Sequence, residues 1–314
     1  ARRIGNLFED PFVHYAAAIQ KLYEDISVAL IKNYLGDILN ETGRLAVSGT
    51  GSMNIRLNQR LSSIPEVHSY IVNPTCSDAG AAIGAASYAL RGRGFGMKPL
   101  KNVYLGPAYN TDQCINACLR HPEKPYWEII PAPHKRAAEL LANGQPVAWL
   151  RGRMEFGARS LGNRSIFASP NQAGITDTIN QQVKFRDKRR RFSPSIIDSV
   201  AKDFLPKDKQ DQYMCMSLPV SMRWREQYPE VIYADGTTRA QVVTEEANED
   251  LYKLLTCFQE ITGHGLLINT ALSRPGEVLA CSPEDALNVF LGTDLNYLIL
   301  ENVLVTKRQS TTVW

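Results

Sequence analysis

The chain has 314 residues, 44% apolar and 21% charged, with 17 Pro, 21 Gly and a formal net charge of +3. At ~100–200 residues per domain this argues for about two domains with cores of their own, and it excludes disorder, collagen-like repeats and coiled coil as the main character. No run approaches the ~18–20 apolar residues of a membrane span; the longest small-apolar stretch, 79–90, is broken by Gly80, Gly84 and Ser87.

In chain order, the start Ala1-Arg2-Arg3-Ile4 has no apolar leader region and no initiator Met. No secretory signal is expected, and the chain is expected to begin partway through a longer product. Phe12, Tyr15, Ile19, Leu22, Tyr23, Ile26, Leu30, Ile31, Leu35 and Ile38 recur at three-to-four spacing and predict one helix over 12–42, stopped at Gly43. A short strand at 45–48 runs into Gly49-Thr50-Gly51-Ser52, a helix is expected over 53–62, and a strand over 66–72 closes at Asn73-Pro74. Ser77-Asp78-Ala79-Gly80 opens a small-residue helix over 79–90. This order predicts an α/β fold. Residues 92–96 read as an exposed connector, and 100–134 show little periodicity. The first domain is therefore placed at 1–110, a linker at 111–133 and the second domain at 134–314. The second domain is expected to hold a helix at 134–143, a strand at 146–150, strands near 230–234 and 239–243, a helix at 247–262, a strand at 265–268, a helix at 283–291 and a terminal strand at 297–300.

Six segments could carry chemistry. Gly49-Thr50-Gly51-Ser52-Met53-Asn54 joins a strand to a helix; it reads equally as a phosphate cradle and as a plain tight turn. Asp78, where a helix begins, reads as an N-cap or as a metal or ribose ligand. Arg151, Arg153, Glu155, Arg159 and Arg164 crowd a segment otherwise small and apolar. Guanidinium forks match phosphate and carboxylate oxygens, and the interspersed glycines let the backbone fold around an anion. The run Lys184-Phe185-Arg186-Asp187-Lys188-Arg189-Arg190-Arg191-Phe192 holds six basic residues in eight positions. It is read as an anion pocket, with a solvated face or a nucleic-acid patch as alternatives. Asp235-Gly236-Thr237-Thr238-Arg239 is a turn with an arginine behind it, and Asn269-Thr270 ends a buried strand, where polar groups commonly line a crevice. The six cysteines show no CxxC spacing and read as free thiols in a reducing, cytoplasmic compartment. The five histidines show no HxxH or HExxH spacing, so no zinc site is expected.

Together these pieces resemble one family. Gly152-Arg153-Met154-Glu155-Phe156-Gly157-Ala158-Arg159-Ser160-Leu161-Gly162-Asn163-Arg164-Ser165-Ile166 is similar to the GRMEFGPRALGNRSIL signature of carbamoyltransferases of the nodulation-factor, cephalosporin and tobramycin O-carbamoyltransferase type. Residues 45–61, 74–82, 104–107, 184–196, 235–243 and 266–286 resemble further family segments in the same order. Ala158, Ala271, Leu272 and Ser273 depart from the family's usual Pro, Ser, Phe and Asn. The resemblance implies a partial actin-like (ASKHA) ATPase-fold domain followed by a YrdC-like α/β domain. It implies an ATP-dependent O-carbamoyltransferase that forms carbamoyl-adenylate from carbamoyl phosphate and ATP and passes the carbamoyl group to a small-molecule hydroxyl. Arg153, Arg159, Lys184, Arg190 and Ser195 are the implied catalytic residues. Glu155, Asn163, Arg164, Arg186, Asp235, Arg239, Asn269 and Thr270 join Arg153, Arg159, Lys184 and Arg190 in binding carbamoyl phosphate and ATP. Gly49, Gly51, Asn54 and Gly80 are implied for nucleotide in the actin-like part, and Asp78 for a divalent metal, Fe or Mg. Because 1–110 resembles only the later half of the actin-like module, a partner chain or fragment is expected to complete it. A non-catalytic subunit supporting a catalytic homologue, and carbamoylation of a hydroxymethylated nucleic-acid base, are the alternatives.

Overall fold

The computed structural model describes residues 9–96, 100–206 and 211–307; the start at Ala1–Ile4 lies outside them. The long helix forms as expected: α1 (Phe12–Thr42) ends at Gly43, whose φ of +63° lets its N–H cap the Leu39 carbonyl at 2.8 Å. β1 (Arg44–Val47), a 3-10 turn (Thr50–Met53), α2 (Ile55–Ser62), β2 (Ser69–Val72) and α3 (Gly80–Gly92) follow. β1 and β2 run parallel, with Ala46 opposite Ile71. α2 starts two residues later than expected because the Asn54 side chain caps it, accepting from the Arg56 and Leu57 N–H groups at 3.2 and 3.1 Å. β2 is shorter than the expected 66–72 because the chain first turns, Val67 N–H bonding the Ile64 carbonyl at 2.9 Å. Asp78 does not cap α3: the cap residue is Ala79, and no side chain bonds there. Leu39, Leu45, Leu57, Leu61, Ile64 and Val67 form a small core under α1 and α2, and α3 buries none of its residues.

The stretch 111–133, expected to be a linker, is instead structured. Asn110 and Gln113 form a capping box that opens α4 (Thr111–Arg120). Cys114, Ala117 and Cys118 are buried at helical spacing, but such small side chains leave a faint periodic signal. β3 (Tyr126–Ile129) is an edge strand whose mixed exposure hid it. α5 (Pro133–Ala142), β4 (Val147–Leu150), β5 (Arg164–Ala168), α6 (Ile175–Gln182), β6 (Ser193–Ile197) and α7 (Asp198–Phe204) come next. Then come β7 (Leu218–Pro219), α8 (Met222–Gln227), β8 (Thr237–Thr238), β9 (Gln241–Val243) and α9 (Glu249–Thr262). β10 (Leu266–Ala271), α10 (Pro283–Leu291), β11 (Tyr297–Leu300) and β12 (Val303–Thr306) finish the fold. The expected strand at 230–234 is a 3-10 turn over Pro229–Val231, begun by the proline, and the one at 239–243 narrows to β9.

Eight strands form one mixed sheet in the order β3-β12-β11-β4-β5-β10-β6-β9. Only β4–β11 and β6–β9 are parallel pairs. The sheet is covered on both faces, so β4 reads as the unbroken apolar run Val-Ala-Trp-Leu. Ala148 and Leu150 point to the α4, α6 and α10 side, and Val147 and Trp149 to the α5 and α9 side. Trp149 meets Phe167 edge-on at 6.4 Å; burying each such ring contributes on the order of 2–3 kcal/mol. The protein is thus mixed α/β. All six cysteines are free thiols, and no helix among the described residues is long and apolar enough to cross a membrane.

Candidate functional site

β10 runs antiparallel to both β5 and β6, so its C-terminal residues meet the chain entering those strands: Asn269 lies opposite Ser193, and Ala271 opposite Ser165. The loop before β5, the basic strap before β6 and the turn before β9 therefore converge on one end of β10. They enclose a cavity of about 520 Å³ walled by Arg159, Arg186, Arg190, Arg239, Asn269 and Thr270, together with Ser160, Met214 and Tyr233. Arg189 and Arg191 also reach it, but they pair with Asp187 (3.0 Å) and Glu230 (3.4 Å). Arg159, Arg186, Arg190 and Arg239 have no carboxylate in ion-pair range among the described residues. They feel one another instead. Burial, then the charges of Arg190 and Arg239, push the Arg186 guanidinium down to about 10; burial and then Arg239 lower Arg159. These mutually repelling cations are held in place by Asn180 (Arg186 Nε, 2.6 Å), the Phe192 ring (4.6 Å), Ser193 (Arg239 Nε, 2.8 Å) and the Met53 carbonyl (Arg159 Nη2, 3.0 Å), an arrangement whose charge is suited to an anion.

The remaining predicted residues build the wall's support. Arg164 is fully buried and donates to the carbonyls of Gly152, Asn163, Cys281 and Pro107 at 2.8–3.1 Å, so its charge locks the loop and does not face the cavity. Glu155 Oε1 collects the N–H groups of Leu161 (2.7 Å), Asn163 (3.3 Å) and Arg164 (3.3 Å), while its Oε2 is buried with no partner. Asn163 bridges the Arg153 carbonyl and Asn248, and the exposed Arg153 donates to the Tyr104 and Leu105 carbonyls. Lys184 is buried beneath the cavity and donates to the carbonyls of Ala271 and Ser273; burial, then Arg186, push its ammonium down to about 7. Ser195 is fully buried and bonds Gln241 at 2.7 Å. Leu161's carbonyl takes Gln241 Nε2, which turns Gln241 Oε1 toward Ser195 and Asn269. That orientation fixes Asn269 with Nδ2 as the donor and leaves its buried Oδ1 without a partner at the cavity wall. Asp235 lies outside, bonded to Thr237 and to Arg56 of α2.

Gly49, Gly51, Asn54 and Gly80 of the first part do not line this cavity, although the Met53 carbonyl of the glycine loop holds Arg159 at its wall. Gly51 has no room for a Cβ because Tyr23 Oη would lie 2.4 Å away, and Asn54 pairs with Gln20 while capping α2. Gly80 packs against the Thr75 carbonyl, and Gly49 takes φ +97° in the turn. Asp78 is exposed, and no group of three or more His, Cys, Asp or Glu gathers among the described residues to hold a metal. The residues present thus do not form a metal site. The sequence reading missed Ser160, Met214 and Tyr233 as wall residues, whereas Arg189 and Arg191 belong to the basic run it read as an anion pocket. Tyr233 and Met214 arrive by folding alone.

An arginine-lined cavity at strand ends of a mixed α/β sheet defines the class of site this protein carries. The family models for the carbamoyltransferase C-terminus and the carbamoyltransferase N-terminus match residues 138–307 and 5–87. The chain belongs to the carbamoyltransferase family. It is 32% identical over 98% of its length to nodulation protein NolNO of Sinorhizobium fredii, covering 46% of that protein, and 33% identical over 98% to nodulation protein NolO of Bradyrhizobium diazoefficiens, covering 57%. It is also 32% identical over 74% to nodulation protein U of Rhizobium tropici, covering 39%. The chain spans about half the length of these curated relatives.

Proposed function

We propose that the chain is the ATP-using part of an O-carbamoyltransferase, with the 134–314 region YrdC-like and the first region a portion of an actin-like domain. The observation that carries this is the cavity whose Arg159, Arg186, Arg190 and Arg239 lack carboxylate partners. Carbamoyl phosphate and ATP are polyanions, and adenylation builds charge at phosphorus that such guanidiniums stabilise. In balance, carbamoyl phosphate, ATP and water yield carbamoyl-adenylate, pyrophosphate and phosphate. An alcohol then takes the carbamoyl group and AMP leaves. The chain's own residues bind and orient the phosphates.

A partner segment covering α1 belongs to the same proposal. Tyr15, Ile19, Leu22, Ile26, Leu30, Tyr34 and Ile38 remain exposed on α1, while Val28, Ile31 and Leu39 face the small core, so the helix is apolar on two sides as an interior helix is. The test is pyrophosphate release from ATP that depends on carbamoyl phosphate, measured for this chain joined to the rest of a full-length relative. Release that falls at least about tenfold in Arg239→Ala is expected; release independent of carbamoyl phosphate would overturn the assignment.

A further inference from the structure

Phe185 lies in the basic strap between buried Lys184 and Arg186 of the cavity wall. Its φ is +41°, a left-handed conformation that an aromatic residue adopts only at a cost and that glycine or asparagine adopts readily. The backbone shape has a structural use. It turns the chain back over the end of α6, where Lys184 N–H bonds the Ile179 carbonyl and Arg186 N–H bonds the Asn180 carbonyl, both at 2.9 Å. The ring has no such use. It is 58% exposed and joins none of the hydrophobic clusters. Phe192, at the far end of the strap, makes the contrast: it is 3% exposed and carries the Arg186 guanidinium over its face. The fold accounts for a left-handed residue at 185 but not for a phenyl group. Phe185 does not itself line the cavity but adjoins Arg186, which does, and strain kept beside such a wall residue points to a ligand.

We propose that Phe185 is a stacking platform for the purine base of the nucleotide whose phosphates enter the arginine cavity. This rests on the polyanion reading above. A nucleotide joins a flat apolar face to a chain of phosphates, and the strap presents a flat apolar ring one residue from a guanidinium of the wall. The base lies on the ring while Arg186 and its neighbours take the phosphates.

Titration calorimetry of the full chain with ATP and with inorganic tripolyphosphate separates the two ideas. Phe185→Asn keeps a residue at ease in the left-handed region and removes the ring. It should weaken ATP binding by about tenfold or more while leaving tripolyphosphate within about twofold, and Phe185→Trp should restore ATP binding. Phe185→Gly should raise Tm by about 2 °C. Unchanged ATP binding in Phe185→Asn, with tripolyphosphate still bound, overturns the platform and leaves the cavity reading intact. A fall in Tm for Phe185→Gly shows that the fold itself holds the ring, and overturns it too. If wild-type protein binds neither ligand, the cavity reading fails and the platform with it.

Discussion

Arg239 and Arg164 are both arginines of segments singled out for their charge, yet their surroundings give them opposite duties. Arg239 leans on Ser193 at the cavity wall, whereas Arg164 is sealed among four carbonyls. Arg239→Ala should weaken tripolyphosphate binding about 10–100-fold with little change in Tm, because one charge-assisted contact is lost at an open site. Arg164→Met should instead cost about 3–5 kcal/mol of stability in denaturant titration, since buried carbonyls lose their donor and Glu155 its neighbouring charge. Equal effects of the two substitutions on Tm would contradict this division. Lys184 carries a pH signature. Its pKa of about 7 lies below the 10.5 of an ordinary lysine, so between those values the unfolded chain binds more protons and stability rises with pH. Lys184→Met removes that rise. The wild-type Tm should therefore gain on the variant's as pH climbs from about 7 to about 9; a constant gap would show that the ammonium is not perturbed.

At the scale of elements, the loop between β4 and β5 is held by α9. Gly162 has φ +110°, and a Cβ there would sit 2.4 Å from Leu251 Cδ2 of α9. Gly162→Ala should cost about 1–3 kcal/mol and loosen the cavity loop, read as a lower denaturant midpoint. Asp250 at the start of α9 ties Arg151 after β4 (2.7 Å) to His134 on α5 (2.8 Å). Burial alone would raise its carboxyl, but the bonds from His134 and Arg151 outweigh it and hold it at about 2. Its stabilisation is present above about pH 4 and fades as pH falls toward 2. Asp250→Asn should lower Tm at neutral pH and converge with wild type in acid. The elements themselves were legible where one face alternates with another. α1, α2, α5, α9 and α10 show a helical apolar stripe, and β4, β10 and β11 a buried run. β5 and β6 were not legible, because Arg164, Ser165, Ser193 and Ser195 put polar groups into a fully buried stretch that folding satisfies, with the carbonyls around Arg164, Ser160 at Ser165, Arg239 at Ser193, and Gln241 and Asn269 at Ser195.

Across the whole molecule, the two parts meet through polar contacts near the cavity. Asn58 Nδ2 donates to the Cys215 carbonyl at 2.7 Å, Ile55's carbonyl accepts from Ser217 N–H at 3.2 Å, and Arg159 reaches Met53. The cavity loop thus touches the first part directly, and Gly157 passes beside the Pro74 carbonyl where a Cβ would lie at 3.1 Å. The outer stripe of α1 is an apolar surface left uncovered on the first part. Ile19→Glu combined with Ile26→Glu should leave the Tm of the chain alone within about 2 °C, because neither side chain is buried here. The same pair should abolish co-purification with the rest of a full-length relative supplied as a separate polypeptide. Retained co-purification would place the partner surface elsewhere.

Sequence alone determined the α/β class, the long first helix, the carbamoyltransferase resemblance and the segments that would supply positive charge. These are local properties: periodicity, glycine spacing and the density of arginine along a short stretch. Tertiary structure decided which of those charges do binding and which hold the scaffold. A guanidinium's duty depends on what lies within about 3 Å of it, and the Pro107 and Cys281 carbonyls at Arg164 and the serine beside Arg239 come from segments far apart in the chain.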